Sequence, residues 1–247
     1  MEGLFSLDFA MPILTALIAF IGTFLGARYE QWLAEKRQIR DALIQEFRNT
    51  EAAITGTLAF WNKCMNFKRQ IYVPFKAWYK QSSENDASST LDLILFPVIE
   101  FPIDLLTHHF EKISVSRRPI FLFYELLGSS QVLNQTISGK NELNKEFKLL
   151  CEKNIDCSSL YYGKDHSDTR YRDHVEHIEL VLDDSLHFSR ELCIELVAHG
   201  KKLESEIKSL KMDSLIEPFF DPVWDEDALK LMPDPEKYKE FVLKKVS

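Results

Sequence analysis

From Phe9 to Ala27 the chain reads FAMPILTALIAFIGTFLGA, 19 residues without a charged side chain. As a helix rising about 1.5 Å per residue, this stretch covers about 28 Å, against a bilayer hydrocarbon core of about 30 Å. A secretory signal peptide is the competing reading, and the flanks speak against it: MEGLFSLD carries no Lys or Arg, and no small-x-small cleavage pattern comes after the apolar run. We therefore expect a retained transmembrane helix within residues 1–27. Arg28, Lys36, Arg37 and Arg40 lie just beyond the span, whereas Glu2 and Asp8 precede it. The bias of basic residues toward the cytoplasmic side then places the N-terminus outside and the long remainder in the cytoplasm, with Tyr29 and Trp32 at the inner interface.

The span also has a face. Thr15, Ala19, Gly22 and Gly26 recur at steps of four, three and four, ending in a Gly-x-x-x-Gly. Such strips let helix backbones approach closely in lipid, where packing drives association. Small residues scattered by composition in an apolar helix are the plain alternative. Taken with the apolar stripe beyond Arg28, the strip leads us to expect a homo-oligomer.

Past Arg28 the helical pattern continues. Trp32, Ile39, Leu43, Phe47, Ile54, Leu58, Trp61 and Met65 form that stripe, expected to run until Pro74 breaks it, with Gly56 as its weakest point. Residues 28–80 are thus a long juxtamembrane helix. Residues 81–90, QSSENDASST, read as a polar loop, and residues 81–247 as a helical domain with a proline-rich tail. Within that domain an irregular apolar segment leads to a short helix from about Pro102. Pro119 is expected to open another, with Ile120, Tyr124 and Leu127 inward, and Gly128 and Gly139 to weaken the stretch after it. Residues 141–153 read as a separate short helix, and a long one is expected from Asp168 to about Met212. Phe219, Phe220 and Trp224 imply that the tail docks on the domain. Only eight Gly and nine Pro, against 45% hydrophobic and 28% charged residues, point the same way: an all-α fold with a proper core.

Charge is unevenly distributed. Residues 28–80 hold ten Lys and Arg against five Asp and Glu, while the net over the chain is −8, so the distal part is strongly acidic. From Trp61 to Lys80, the cations Lys63, Lys68, Arg69 and Lys76 alternate with aromatic rings and no acid. Cations beside stacking rings suit single-stranded nucleic acid, and hence an RNA partner. The alternative is a helix whose rings are core and whose cations meet the acidic distal half. Cys64, Cys151, Cys157 and Cys193 are scattered and read as free thiols in a reducing compartment. Together with His166, His174 and His177 they fit no usual zinc spacing except for the His174–His177 pair, so no metal or other cofactor is expected. Phosphate-loop, nucleophile-elbow and zincin motifs are missing, which removes support for NTPase, esterase and metalloprotease chemistry.

The sharpest motif is RDHVEH, Arg172 to His177. Here the chain resembles the HEPN family of helical-bundle proteins, whose RNases carry an Arg, then Asn, Asp or His, and a His a few residues on. The resemblance implies metal-independent RNA cleavage across a dimer, with Arg172 stabilising charge on the phosphate and His177 moving a proton. Core or interface histidines are the alternative for the same residues. One span preceding a helical domain with such a motif also resembles the small membrane accessory proteins of type VI-B CRISPR systems. That likeness implies a bacterial inner-membrane effector of antiphage defence, perturbing the membrane or recruiting a cytoplasmic protein to it. A membrane-bound RNase and a passive membrane scaffold stand as the alternatives.

Overall fold

The computed structural model describes residues 7–84, 91–164, 168–210 and 216–239. Helix α1 (Leu7–Phe67) runs 61 residues without interruption, a length of roughly 92 Å. It passes through one π turn, Lys68–Tyr72, into α2 (Val73–Glu84). Pro74 therefore does not break the helix as expected. In the π turn the Val73 N–H reaches back to the Lys68 carbonyl, so Pro74 falls in the first turn of α2, where a missing N–H is tolerated. Nor does Gly56 mark a weak point. A Cβ there would lie 3.0 Å from Leu106, so the glycine is where a neighbouring helix comes closest.

That neighbour is α3 (Ile103–Phe110), succeeded by α4 (Arg117–Glu152), the short α5 (Ser158–Tyr161), α6 (Arg170–Ser209) and a short turn α7 (Glu226–Leu229), with residues 236–239 helical again. All regular elements among the described residues are helical. Helix α6 is the centre of the bundle, packed on both α1 and α4. It runs antiparallel to α1, since His199 meets Glu46, Asp183 meets Lys68 and Tyr171 meets Tyr79. It is antiparallel to α4 as well, since Glu195 meets Arg118 and Arg170 meets Glu146. The apolar face of α6 is buried from Tyr171 to Ile207, and between Leu182 and Leu192 it continues through Ser185, Leu186 and Ser189.

Helix α4 corrects two expectations. It is one helix of 36 residues, through both Gly128 and Gly139 and on past residue 141. Gly139 faces α6 so closely that a Cβ would lie 2.6 Å from the His174 ring, so its lack of a side chain serves packing. The buried face is also rotated: Pro119, Leu122, Phe123 and Leu126 point inward, while Ile120 and Tyr124 are exposed. Phe123 stacks on Phe110 at 4.6 Å, and that contact with α3 sets the face.

A fourth long element completes the bundle without being a helix. Residues 91–102 have no regular structure and run back along α4 as a strap, broken from helical geometry by Pro97 and Pro102. Its backbone is satisfied by side chains instead. Asn141 accepts from the Phe96 N–H at 2.9 Å and donates to the Phe96 carbonyl at 2.8 Å; Asn134 does the same for Ile99, both at 2.8 Å. The register comes from arithmetic: seven helical residues rise about 10.5 Å and three extended residues span about 10 Å, so a heptad of α4 matches three strap residues. Asn144 and the wholly buried Lys140 both donate to the Ile94 carbonyl. Burial pulls the Lys140 amine down to about 7, and its nitrogen lies 3.7 Å above the Phe96 ring.

The tail docks as expected, with Phe219 edge-on to Phe47 at 5.4 Å and Trp224 edge-on to Trp61 at 4.9 Å. Phe220 is turned outward. Three segments meet at one buried cation: Lys68 Nζ in the π turn lies 2.5 Å from Asp183 of α6 and 2.5 Å from the Leu231 carbonyl of the tail. Breaking a buried pair strands the remaining charge. Lys68→Met should therefore cost about 3–5 kcal/mol in urea unfolding of the full chain in detergent, and Lys68→Met with Asp183→Leu should recover most of it. A loss under about 1 kcal/mol would mean that the pair is effectively solvated.

Candidate functional site

Helices α4 and α6, together with the tail, line an open groove of about 500 Å³. Val132, Leu180, Val181 and Phe188 give it apolar walls, and Gly128 leaves its floor open, with nothing within 4 Å of where a Cβ would stand. Polar groups enter from three elements: Glu125 and Ser129 of α4, His177 and Asp184 of α6, and Lys237 and Tyr238 of the tail. His177 and Asp184 share a face because seven residues make two helical turns.

The tail closes one end. Tyr238 donates its hydroxyl to Asp184 at 2.8 Å and lays its ring on His187 with centroids 3.7 Å apart and planes 7° from parallel. Burial pushes the Asp184 carboxyl up from its usual range, against the Tyr238 hydrogen bond and the charges of Lys237 and His177. Burial, assisted by Arg190, pulls the His187 imidazole down to about 4, so at neutral pH it is an uncharged stacking surface. An apolar trough edged by a carboxyl group and an imidazole two helical turns apart can seat an amphipathic molecule. Among the described residues no group of three or more His, Cys, Asp or Glu converges on a metal position.

The residues of the RNase motif part company in a single copy. His177 lines the groove and is exposed. Arg172 lies about 140° away around α6, five residues earlier. Its guanidinium donates to the Gly163 carbonyl at 3.3 Å and lies 3.5 Å from Asp173 and 4.0 Å from Glu176. His174 packs on Gly139 between the helices, and burial lowers its pKa. His166 lies outside the described residues.

Four of the five cations of residues 61–80 have partners within the chain. Lys68 is buried in its pair with Asp183 and is closed to nucleic acid; Arg69 lies 3.6 Å from Asp225 and Lys76 pairs with Glu179. Lys63 donates to the Glu100 carbonyl at 3.4 Å. The rings between them, Trp61, Phe67, Tyr72, Phe75 and Tyr79, are core. Three of these cations thus meet acids of the distal part of the chain.

In the N-terminal segment Thr15, Ala19, Gly22 and Gly26 are all exposed, and a Cβ on either glycine would meet nothing within 4 Å. No motif in the sequence marks Asp184, His187 or Tyr238; the spacing of seven from His177 to Asp184 is the one sign it offers. Comparison with protein-family models, with curated proteins and with solved structures returns no match for this chain.

The buried imidazole sets a pH dependence. Unfolded, His187 titrates near 6.5; folded, near 4. The unfolded chain therefore binds the proton first, and stability falls as pH drops through the window from 6.5 to 4. His187→Phe, which keeps a ring against Tyr238, should flatten the fall in urea midpoint between about pH 7 and about pH 5. An unchanged slope would place the titration elsewhere.

Proposed function

We propose that this is a single-pass membrane protein whose N-terminal helix anchors and self-associates, holding the helical bundle at the cytoplasmic face as an effector that perturbs the membrane or brings a partner to it. The observation that carries this reading is one helix in two environments. Among the described residues α1, continued through the π turn, is the one helical run long and apolar enough to cross a membrane. Ile13, Leu14, Leu17, Ile18, Phe20, Ile21, Phe24 and Leu25 all stand bare, an apolar surface far beyond scattered exposed residues.

Local detail supports it. The Thr15 and Thr23 hydroxyls donate to the carbonyls of Met11 and Ala19, each at 2.8 Å, so the polar side chains of the segment are satisfied within the helix, as lipid requires. Next along the helix, Tyr29 stacks on Trp32, and Lys36 lies 3.9 Å over the Trp32 ring, amphipathic groups of the kind that sit at headgroups. The stripe that is buried from Phe47 onward leaves Trp32 and Ile39 exposed on the stalk. Copies joined through Gly22 and Gly26 would bring those rings and side chains together. The assignment to antiphage defence rests on the likeness to the accessory proteins of CRISPR systems, in plan and in the RDHVEH motif.

The anchor and the bundle separate experimentally because the span adds nothing to the core. Leu17→Asp with Phe20→Asp should move the protein from the alkali-resistant membrane fraction to the soluble one while far-UV circular dichroism keeps its helical form. Gly22→Ile with Gly26→Ile should keep it in the membrane and reduce its size in mild detergent to that of one chain. A parent already soluble, or a bundle digested from the periplasmic side of spheroplasts, would sink the proposal.

A further inference from the structure

The last turn of α4 and the first residue before α5 bring two cysteines into contact. Asn154, with φ of 60°, turns the chain in the left-handed region, and the Asn154 and Ile155 N–H groups reach back to the Cys151 and Leu150 carbonyls at 2.9 and 3.0 Å. This tight return sets Cys151 Sγ 3.5 Å from Cys157 Sγ. The two differ in access: Cys151 is exposed, and Cys157 is buried at 1% exposure with its sulfur facing the Phe147 carbonyl. Closing to a bond of about 2.05 Å needs a sulfur movement of about 1.5 Å, within reach of side-chain rotation at this exposed turn.

We propose that Cys151 and Cys157 are a thiol oxidation site for hydroperoxides, with Cys151 as the attacking sulfur and Cys157 as the resolving one. Cys151, as thiolate, attacks the peroxide O–O bond; one oxygen stays on sulfur as sulfenic acid and the other, after taking up a proton, leaves as water from hydrogen peroxide or as the alcohol from an organic hydroperoxide. The Cys157 sulfur then attacks the Cys151 sulfur, its proton leaves with the sulfenic oxygen as a second water, and the S–S bond forms. Two thiols lose two electrons and one peroxide gains them. Burial pushes the Cys157 thiol up to about 12, which keeps it from acting first and fits the resolving role.

The site is placed to matter structurally. Helix α5 supplies Tyr161, whose ring stacks on Tyr171 of α6 at 4.4 Å and whose carbonyl accepts from the Tyr79 hydroxyl of α2 at 2.9 Å. A bond between Cys151 and Cys157 would tie the end of α4 to this cluster, joining one end of three helices. Cys64 and Cys193 are wholly buried and distant in sequence, and serve as internal controls.

The test uses the full chain in detergent, reduced, then exposed to hydrogen peroxide with dimedone present and analysed by peptide mass spectrometry. Expected is a two-hydrogen loss linking Cys151 to Cys157, reversed by dithiothreitol, with Cys64 and Cys193 still free. Cys157→Ser should shift the product to a dimedone adduct on Cys151, and Cys151→Ser should slow oxidation of Cys157 at least tenfold. Continued shielding of Cys64 and Cys193 from maleimide shows that each variant is folded. Oxidation of Cys157 at parental rate in Cys151→Ser, or dimers linked through Cys151 in place of the internal bond, overturns the proposal.

Discussion

One uninterrupted helix carries two kinds of surface. Its first part is apolar on every side, and from Phe47 its stripe is covered by α6 and α3. Helix α6 covers that stripe and α4 together and runs antiparallel to both, which leaves α1 and α4 parallel and requires a long return between them. The strap is that return. Everything peripheral, including the tail crossing Phe47 and Trp61 and the ion pair at Lys68, is arranged around the α1–α6 seam.

The large features are legible in sequence because they rest on long apolar patterns: the N-terminal segment, the stripe to Met65 and the long helix that is α6. Breaker residues mislead, for a shared reason. Proline and glycine weaken an isolated helix, by about 3 and 1 kcal/mol respectively, but packing decides in a bundle. Gly56 and Gly139 sit where a neighbour needs room, and Pro74 is accommodated by a π turn whose tyrosine, Tyr72, is buried and bonded to the Val175 carbonyl at 2.9 Å. The face of α4 is ambiguous in sequence because Ile120 and Tyr124 suit a core as well as Leu122 and Phe123 do; what chooses between them is Phe110, a partner in another helix.

The groove shows the same limit at the level of chemistry. A short motif draws attention to His177, which does line the groove, and to Arg172, which is held on the opposite flank by Gly163. Asp184 is ordinary in sequence, and its hydrogen-bond partner, Tyr238, comes 54 residues later. Likewise the interleaved cations and rings of residues 61–80 carry no sign of Asp183, Glu179 and Asp225, which neutralise three of those cations from far along the chain. Tertiary partners make a site, and a local pattern can name only half of each pair.

The asparagine ladder under the strap reads peptide groups and not side chains. Asn134 and Asn141 bind the N–H and carbonyl of Ile99 and Phe96, so those positions exclude proline, while Leu95 and Val98 face outward. Relatives of this protein should therefore drift freely at the outward strap positions yet keep two asparagines a heptad apart on the facing helix. That pairing is a signature by which distant kin can be found when overall identity has faded.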